Sequence, residues 1–379
     1  MSQMLRPLSS RHAKKSIALR AGSVWRRYNS NASDHQPLRI LFCGADAFSI
    51  RSLDAVRKLQ ATDHESVQSI DVVCRPDKRV GRGLKKVQEV PIKSYAKGLD
   101  LPIHQIDTFT GWTPPIHFDL VIAVSFGLLV PARILNSAKY GGLNVHPSLL
   151  PDLRGAAPIQ HAILKGRSKT GVSIQTMHPT RFDHGLVLDQ VSLPLTNEYT
   201  ASTLTTQLGM LGESLLFRTL KKRSFIDPEP MADQNGNELL AEHAPKITPE
   251  DRHIDWSSWS AEKIERYDRA LGKLWDDTLV ARCSIPKPGV ADSSRVTWDG
   301  PWTIYQGEET SRFMDDKHAE PGIIPISTHR GEKGSLGVWT VDGKVVVPSA
   351  ATVAGYKEGK GLETLAGKLA QLKNHSRRN

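Results

Sequence analysis

From residue 38 onward, blocks of apolar residues change period in a regular way. Residues 39–44 (RILFCG) form a short apolar run ending in glycine, and residues 48–59 carry apolar positions at helical spacing. Together they predict a strand, a turn and a helix. Residues 70–74 predict a second strand and residues 91–98 a short helix opened by Pro91. Residues 118–125 are almost continuously apolar, the pattern of a strand covered on both faces of a parallel sheet. A helix over 131–138, a strand over 142–145 and a helix over 157–164 follow. This alternation predicts an α/β fold, a doubly wound and mostly parallel sheet. Residues 171–177 and 186–195 add two strands with no crossover helix between them, and a long amphipathic helix over 203–222 closes the domain.

The pattern then changes. Asp227-Pro228-Glu229-Pro230 and Asp233-Gln234-Asn235-Gly236-Asn237 offer little to bury, which predicts a linker. Beyond it, residues 260–271 predict one helix. Short β-like runs at 296–298, 322–324, 337–341 and 344–347 predict a small β-barrel. The chain therefore divides into a leader (1–37), an α/β domain (38–225), a linker (226–250) and a smaller barrel (251–379).

Charge refines this division. The net charge of +10 over 379 residues suggests a polyanionic partner. Yet Arg6, Arg11, Lys14, Lys15, Arg20, Arg26 and Arg27 stand against the single acid Asp34 in residues 1–38. That segment holds +6, leaving +4 for the rest. An Arg- and Ser-rich, acid-poor leader predicts a mitochondrial transit peptide and delivery to the mitochondrial matrix. Cys43, Cys74 and Cys283 are scattered, which fits a reducing compartment better than a disulfide framework. No apolar run approaches the ~18 residues of a membrane span, so no membrane partner is expected, and a monomer is expected.

The turn after the first strand holds only Gly44, and the next glycine is Gly81. The Gly-x-Gly-x-x-Gly signature of dinucleotide sites is missing, as is a phosphate-binding Gly-x-x-x-x-Gly-Lys-Ser/Thr loop. Asn144 and His146 lie two apart where the 142–145 strand ends, so their side chains share one face at the mouth of the sheet. A carboxamide donor beside an imidazole there suits an oxyanion site for acyl transfer. Asp183, before Gly185, is the carboxylate placed to hold the tautomer of His146; His184 is its rival. A structural histidine at a strand end and a turn aspartate are the plainer alternatives. No cluster has metal-ligand spacing, and no metal is expected. A separate stretch, Arg75, Lys78, Arg79, Arg82, Lys85 and Lys86, faces one acid, Asp77, and contains Gly81 and Gly83, which predicts an adaptable basic loop. Lys221-Lys222-Arg223 and the 357–378 tail offer further phosphate contacts.

Asn144-Val145-His146-Pro147-Ser148-Leu149-Leu150-Pro151, Arg154-Gly155-Ala156-Ala157-Pro158-Ile159-Gln160 and Phe42-Cys43-Gly44-Ala45-Asp46-Ala47-Phe48 resemble the folate-dependent formyltransferase family, in particular its methionyl-tRNA branch. The resemblance implies a Rossmann-like formyltransferase domain followed by an OB-like β-barrel. It implies Asn144, His146 and Asp183 as the catalytic trio and 10-formyltetrahydrofolate as the formyl donor. The folate would lie near Phe126, Gly127, Ser148, Leu149, Leu150 and Pro151. Initiator methionyl-tRNA would be the acceptor, gripped by the 75–86 loop. Without the tRNA implication, the same trio suits formyl transfer to a small amine such as glycinamide ribonucleotide or an amino sugar. A non-catalytic RNA-binding protein on the same scaffold is the remaining alternative. Two departures from the family pattern are His184, where threonine is frequent, and residues 272–277.

Overall fold

The computed structural model describes residues 36–229, 241–278, 295–311, 322–326 and 335–376. Almost all of the leader, part of the linker and Cys283 lie outside the described residues.

The first half alternates as the sequence predicts. β1 (Leu38–Gly44) leads to α1 (Ala47–Thr62), then β2 (Val67–Cys74), the short β3 (Lys78–Val80) and β4 (Lys86–Gln88), α2 (Pro91–Gly98) and β5 (Ile103–Gln105). β6 (Leu120–Val124), α3 (Ala132–Leu135), β7 (Gly142–His146), β8 (Arg154–Gly155), α4 (Pro158–Leu164), β9 (Lys169–Thr176), β10 (Val187–Pro194) and α5 (Ala201–Lys222) complete it. The main sheet has the order β10-β9-β7-β6-β1-β2-β5. The five strands from β7 to β5 are parallel, and β9 and β10 run antiparallel at one edge. Strand periodicity divides the core. Ile40 and Phe42 join the large cluster with α1 and α5, while Leu41 and Cys43 face Phe109, Phe118 and Ile134 on the other side. Both faces of β6 are thereby covered, which accounts for its unbroken apolar sequence.

Local signals set the helix ends. Asp46 caps α1 by accepting the Ser49 N–H, and Thr200 with Thr203 forms a capping box at α5. Pro91 occupies the first turn of α2. Arg223, expected to meet phosphate, ends α5 in the left-handed conformation and donates to the Gln36 carbonyl.

The segment expected to be a linker is, where described, built into the first domain. β11 (His243–Ala244) pairs with β8 in parallel. The Leu153 N–H donates to the Glu242 carbonyl at 2.8 Å, and the Ala157 N–H to the Ala244 carbonyl at 3.2 Å. Arg167 joins Asp152 and Glu242 in one ion network, which Lys165 completes. The sequence hid this because the backbone, not the side chains, makes most of the attachment.

Beyond it come α6 (Ala261–Leu271), β12 (Leu274–Asp276), β13 (Val296–Tyr305), α7 (Glu308–Ser311), β14 (Gly322–Ile326), β15 (Ser335–Trp339), β16 (Val345–Val353) and α8 (Gly361–Ser376). The expected barrel is represented among the described residues by an antiparallel sheet of order β12-β13-β16-β15-β14. The tail expected as a phosphate-binding extension is the helix α8, whose Leu365 is buried in the core. The two halves share that core: Ile159 and Ile163 of α4, Ile264 of α6 and Trp298 of β13 belong to one apolar cluster.

Candidate active site

Between β1 and β6 the strand order reverses, and ligands of open α/β sheets bind beyond the carboxyl ends of strands at such a point. A cavity of about 600 Å³ lies there. Phe126, Leu128, Leu129 and Val130 supply an apolar wall, and Asn144, His146, Gln175 and Asp183 a polar floor. Alternation along β7 sends Leu143 and Val145 into the core and turns Asn144 and His146 to the opposite face.

The floor is a connected network. Asn144 Nδ2 donates to the Ala123 carbonyl at 2.9 Å, and its Oδ1 accepts from Gln175 Nε2 at 2.9 Å. Asp183 stands at φ +54°, a left-handed conformation that aspartate tolerates better than most residues. Its Oδ2 accepts from the Gly155 N–H at 2.9 Å and its Oδ1 from Gln175 Nε2 at 3.2 Å. Gly185 follows because a Cβ there would lie 1.5 Å from the Thr176 carbonyl oxygen.

His146 is 5% exposed and held at both nitrogens. Nε2 lies 3.0 Å from the Leu153 carbonyl, which only accepts, so Nε2 carries a hydrogen. Nδ1 faces Asp183 Oδ1 at 3.4 Å. The Asp183 carboxylate thus stands beside the ring and fixes its orientation. Nε2 of His146 is bonded to backbone, and Nδ1 faces the Asp183 carboxylate.

The structure thus brings Asn144, His146 and Asp183 together. Of the residues expected to hold the folate, Phe126 and Gly127 line the cavity. Ser148, Leu149, Leu150 and Pro151 do not. Ser148 is 1% exposed and donates to the Asp152 carbonyl, while Leu150 is tied to Ser173 Oγ. Leu149 packs against Gly171, and Pro151 is buried behind the floor. These four residues shape the loop that carries Leu153 and Gly155. His184 does not line the cavity, and its Nδ1 bonds to the Phe182 carbonyl.

Several lining groups escaped the sequence reading. His178, Arg181 and Phe182 come from the turn before Asp183, and His243 and Lys246 from the β11 segment. Burial, then Arg181 and His184, push the His178 imidazole below its ordinary value. Gln175 was missed because a lone glutamine in an apolar strand carries no spacing signal. His253, Asp276 and Asp277 form a group whose potential ligand atoms lie within 4.8 Å of one another. They do not line the cavity, and Asp276 already accepts from the Thr278 N–H and hydroxyl.

The expected basic loop is a hairpin. β3 pairs with β4, joined by a 3-10 turn over Arg82–Leu84, with Gly81 and Gly83 at positive φ. Lys78, Arg79, Lys85 and Lys86 are exposed, beside exposed Leu84 and Val87. Only the backbone of Arg82 is described. At the base, Lys93 Nζ meets Asp77 at 2.6 Å and holds that carboxyl below its ordinary range. Arg75 precedes the hairpin and reaches Asp107 at 3.8 Å, so it is not part of the exposed basic set.

Residues 38–220 match the family model described as Formyl transferase. Among solved structures, the chain is similar to an N-formyltransferase from Helicobacter canadensis in complex with folinic acid and dTDP-3-aminofucose, at 13% identity and a TM-score of 0.48, covering 82% of this chain and 98% of that one. It is also similar to a sugar N-formyltransferase from a Shewanella species (16% identity, TM-score 0.46, 62% of this chain and 88% of that one). A third is phosphoribosylglycinamide formyltransferase from Bacillus halodurans (20% identity, TM-score 0.41, 49% and 95%).

Proposed function

We propose that the cavity transfers the formyl group of 10-formyltetrahydrofolate to an amine, using Asn144, His146 and Asp183, a reading supported by the match of residues 38–220 to the Formyl transferase model. The observation that carries this reading is the convergence of an Asn144 amide with a His146–Asp183 pair on one cavity floor. The cavity lies within the usual few-hundred-Å³ range of small-molecule sites. Its apolar wall of Phe126, Leu128, Leu129 and Val130 suits a flat ring system.

The bound folate supplies an activated formamide. The transfer forms a bond between the amine nitrogen and the formyl carbon, breaks the bond to the folate nitrogen, and moves one proton from the first nitrogen to the second. One Asn144 N–H is committed to Ala123, and the other stabilises the formyl oxygen as negative charge develops on it. The His146–Asp183 pair relays the proton, accepting it from the incoming amine and returning one to the leaving nitrogen. Leu153 and Gly155 hold that pair in place from the backbone.

Two acceptors compete. A small amine is favoured by the compact cavity and by Arg181, His243 and Lys246 on its lining, which suit an anionic substrate. Initiator methionyl-tRNA is favoured by the exposed hairpin cations Lys78, Arg79, Lys85 and Lys86 and by the additional C-terminal region. The leader's composition supports work in the mitochondrial matrix, tested by whether deletion of residues 1–37 abolishes import.

The deciding assay supplies 10-formyltetrahydrofolate with charged initiator tRNA, glycinamide ribonucleotide or an amino-sugar nucleotide, and measures the formylated product. Formylation of one class identifies the acceptor. Donor binding without formylation of any of these amines counts against transfer to both classes.

A further inference from the structure

The direction of the Asn144 amide is dictated from outside the residue. The Gly185 N–H can only donate, and it meets Gln175 Oε1 at 3.1 Å. Gln175 therefore turns its Nε2 the other way, towards Asn144 Oδ1 at 2.9 Å and Asp183 Oδ1 at 3.2 Å. The Ala123 carbonyl can only accept, and it takes an N–H from Asn144 at 2.9 Å. A backbone donor at one end and a backbone acceptor at the other leave both amides one arrangement. Reversing either would set two donors or two acceptors face to face, and Gln175 is 1% exposed, where water cannot relieve the conflict.

We infer that Gln175 is the positioning residue of this site, setting both the oxyanion donor and the proton-handling pair. Its two N–H groups are divided between the two functions. One fixes Asn144 so that the free Nδ2–H faces the cavity. The other holds Asp183 Oδ1, the same oxygen that faces His146 Nδ1. Gln175 lies directly across the strand pair from Asn144, with register Asn144↔Gln175, which makes the alignment a property of the sheet. The inference rests on the proposed formyl transfer and adds a residue which that reading does not need.

The test uses Gln175→Met, which keeps volume and flexibility but removes every hydrogen bond. The expected result is a kcat lower by about 10- to 100-fold, below the ~10²–10³ of losing an oxyanion donor outright. The KM values for donor and acceptor should stay within about twofold. Because Gln175 acts partly through Asn144 and partly through Asp183, the double variant with Asn144→Ala should lose less than the product of the two single effects, keeping only the share carried by Asp183. A Gln175→Met enzyme with kcat within twofold of the parent overturns the inference, as does full additivity in the double variant. Folding is checked by binding of 5-formyltetrahydrofolate. Where the methionine variant does not fold, Gln175→Glu replaces it: a carboxylate facing Asn144 Oδ1 and Asp183 Oδ1 should lower kcat further, and near-parental kcat there also overturns the inference. If instead Asn144→Ala keeps normal turnover, the oxyanion role of Asn144 fails, and if the parent enzyme formylates no amine the formyl-transfer reading itself fails; both results are distinct from either outcome for Gln175.

Discussion

The cavity floor and the Lys78–Gln88 hairpin are both polar regions of one domain, built on opposite principles. On the floor, Asn144, His146, Gln175 and Asp183 spend their polar groups on one another and on backbone at Ala123, Leu153, Gly155 and Gly185. Such a network is costly when any member is lost, and it is pre-organised before a ligand arrives. In the hairpin, Lys78, Arg79, Lys85 and Lys86 are exposed, and Lys93 fastens the base through ion pairs with Asp77 and Glu89. Its charges acquire a role only from a partner. The difference teaches that chemistry can be read from the first region, whereas the acceptor must be found by experiment on the second.

The largest expected effect lies on the floor. Asn144→Ala removes the proposed oxyanion donor and should lower kcat by about 10²–10³, with KM for either acceptor little changed. Steady-state kinetics check this, and near-normal turnover would sink the assignment. Gly155→Ala follows. Gly155 sits at φ +128°, and a Cβ there would lie 2.4 Å from the Ala244 carbonyl oxygen. Relief means pushing β8 away from β11, which withdraws the N–H that Asp183 accepts. We expect a loss of about 1–3 kcal/mol in a denaturant melt together with roughly tenfold lower kcat. A stable variant with normal kcat would show that the β11 segment is not coupled to the floor.

The hairpin should behave differently. Arg79→Glu with Lys86→Glu leaves the floor untouched, so kcat with a small amine should stay at the parental value. For a tRNA acceptor, KM should rise about tenfold at low salt, and the salt dependence of binding should flatten by one or two phosphate contacts. If KM is unchanged for every acceptor, the two regions do not serve one substrate and the small-amine reading gains.

Most of the α/β half was legible because period and punctuation agree there. The apolar run ending β1, Pro91 at α2 and the Asn144–His146 spacing each name an element or a face. Gln175 was illegible because its partners come from β7 and from the turn at residues 183–185, and only the antiparallel register joins them. The β11 segment was misread as a tether for a related reason. Backbone pairing to Arg154 and Gly155 leaves no apolar pattern, and its polar residues look like solvent-facing ones. Ser148 to Pro151 share the opposite error, since their dense motif reflects the shape of a buried loop.

The smallest effect concerns how the hairpin is held. Lys93 keeps the Asp77 carboxyl below its ordinary 3.8, and Asp77 in turn raises the Lys93 ammonium above its ordinary 10.5. The carboxylate contribution is therefore present above pH 3.8 and is lost as pH falls through the lowered value. The ammonium contribution is present below pH 10.5 and is lost as pH rises through the raised one. Between those limits the fastening should be constant. Tryptic cleavage in the hairpin, corrected for the protease's own pH dependence, should then be flat from about pH 6 to 9, while Asp77→Asn should be cut a few-fold faster throughout. Because the pair is only partly buried and fastens a peripheral hairpin, its effect on global stability should be too small to detect in a melt. Equal cleavage of the two proteins would mean that the Val90 N–H and the β3–β4 pairing alone hold the hairpin. The contrast with the floor would then be sharper still, since the Asp77–Lys93 ion pair would not fix the position of the basic set.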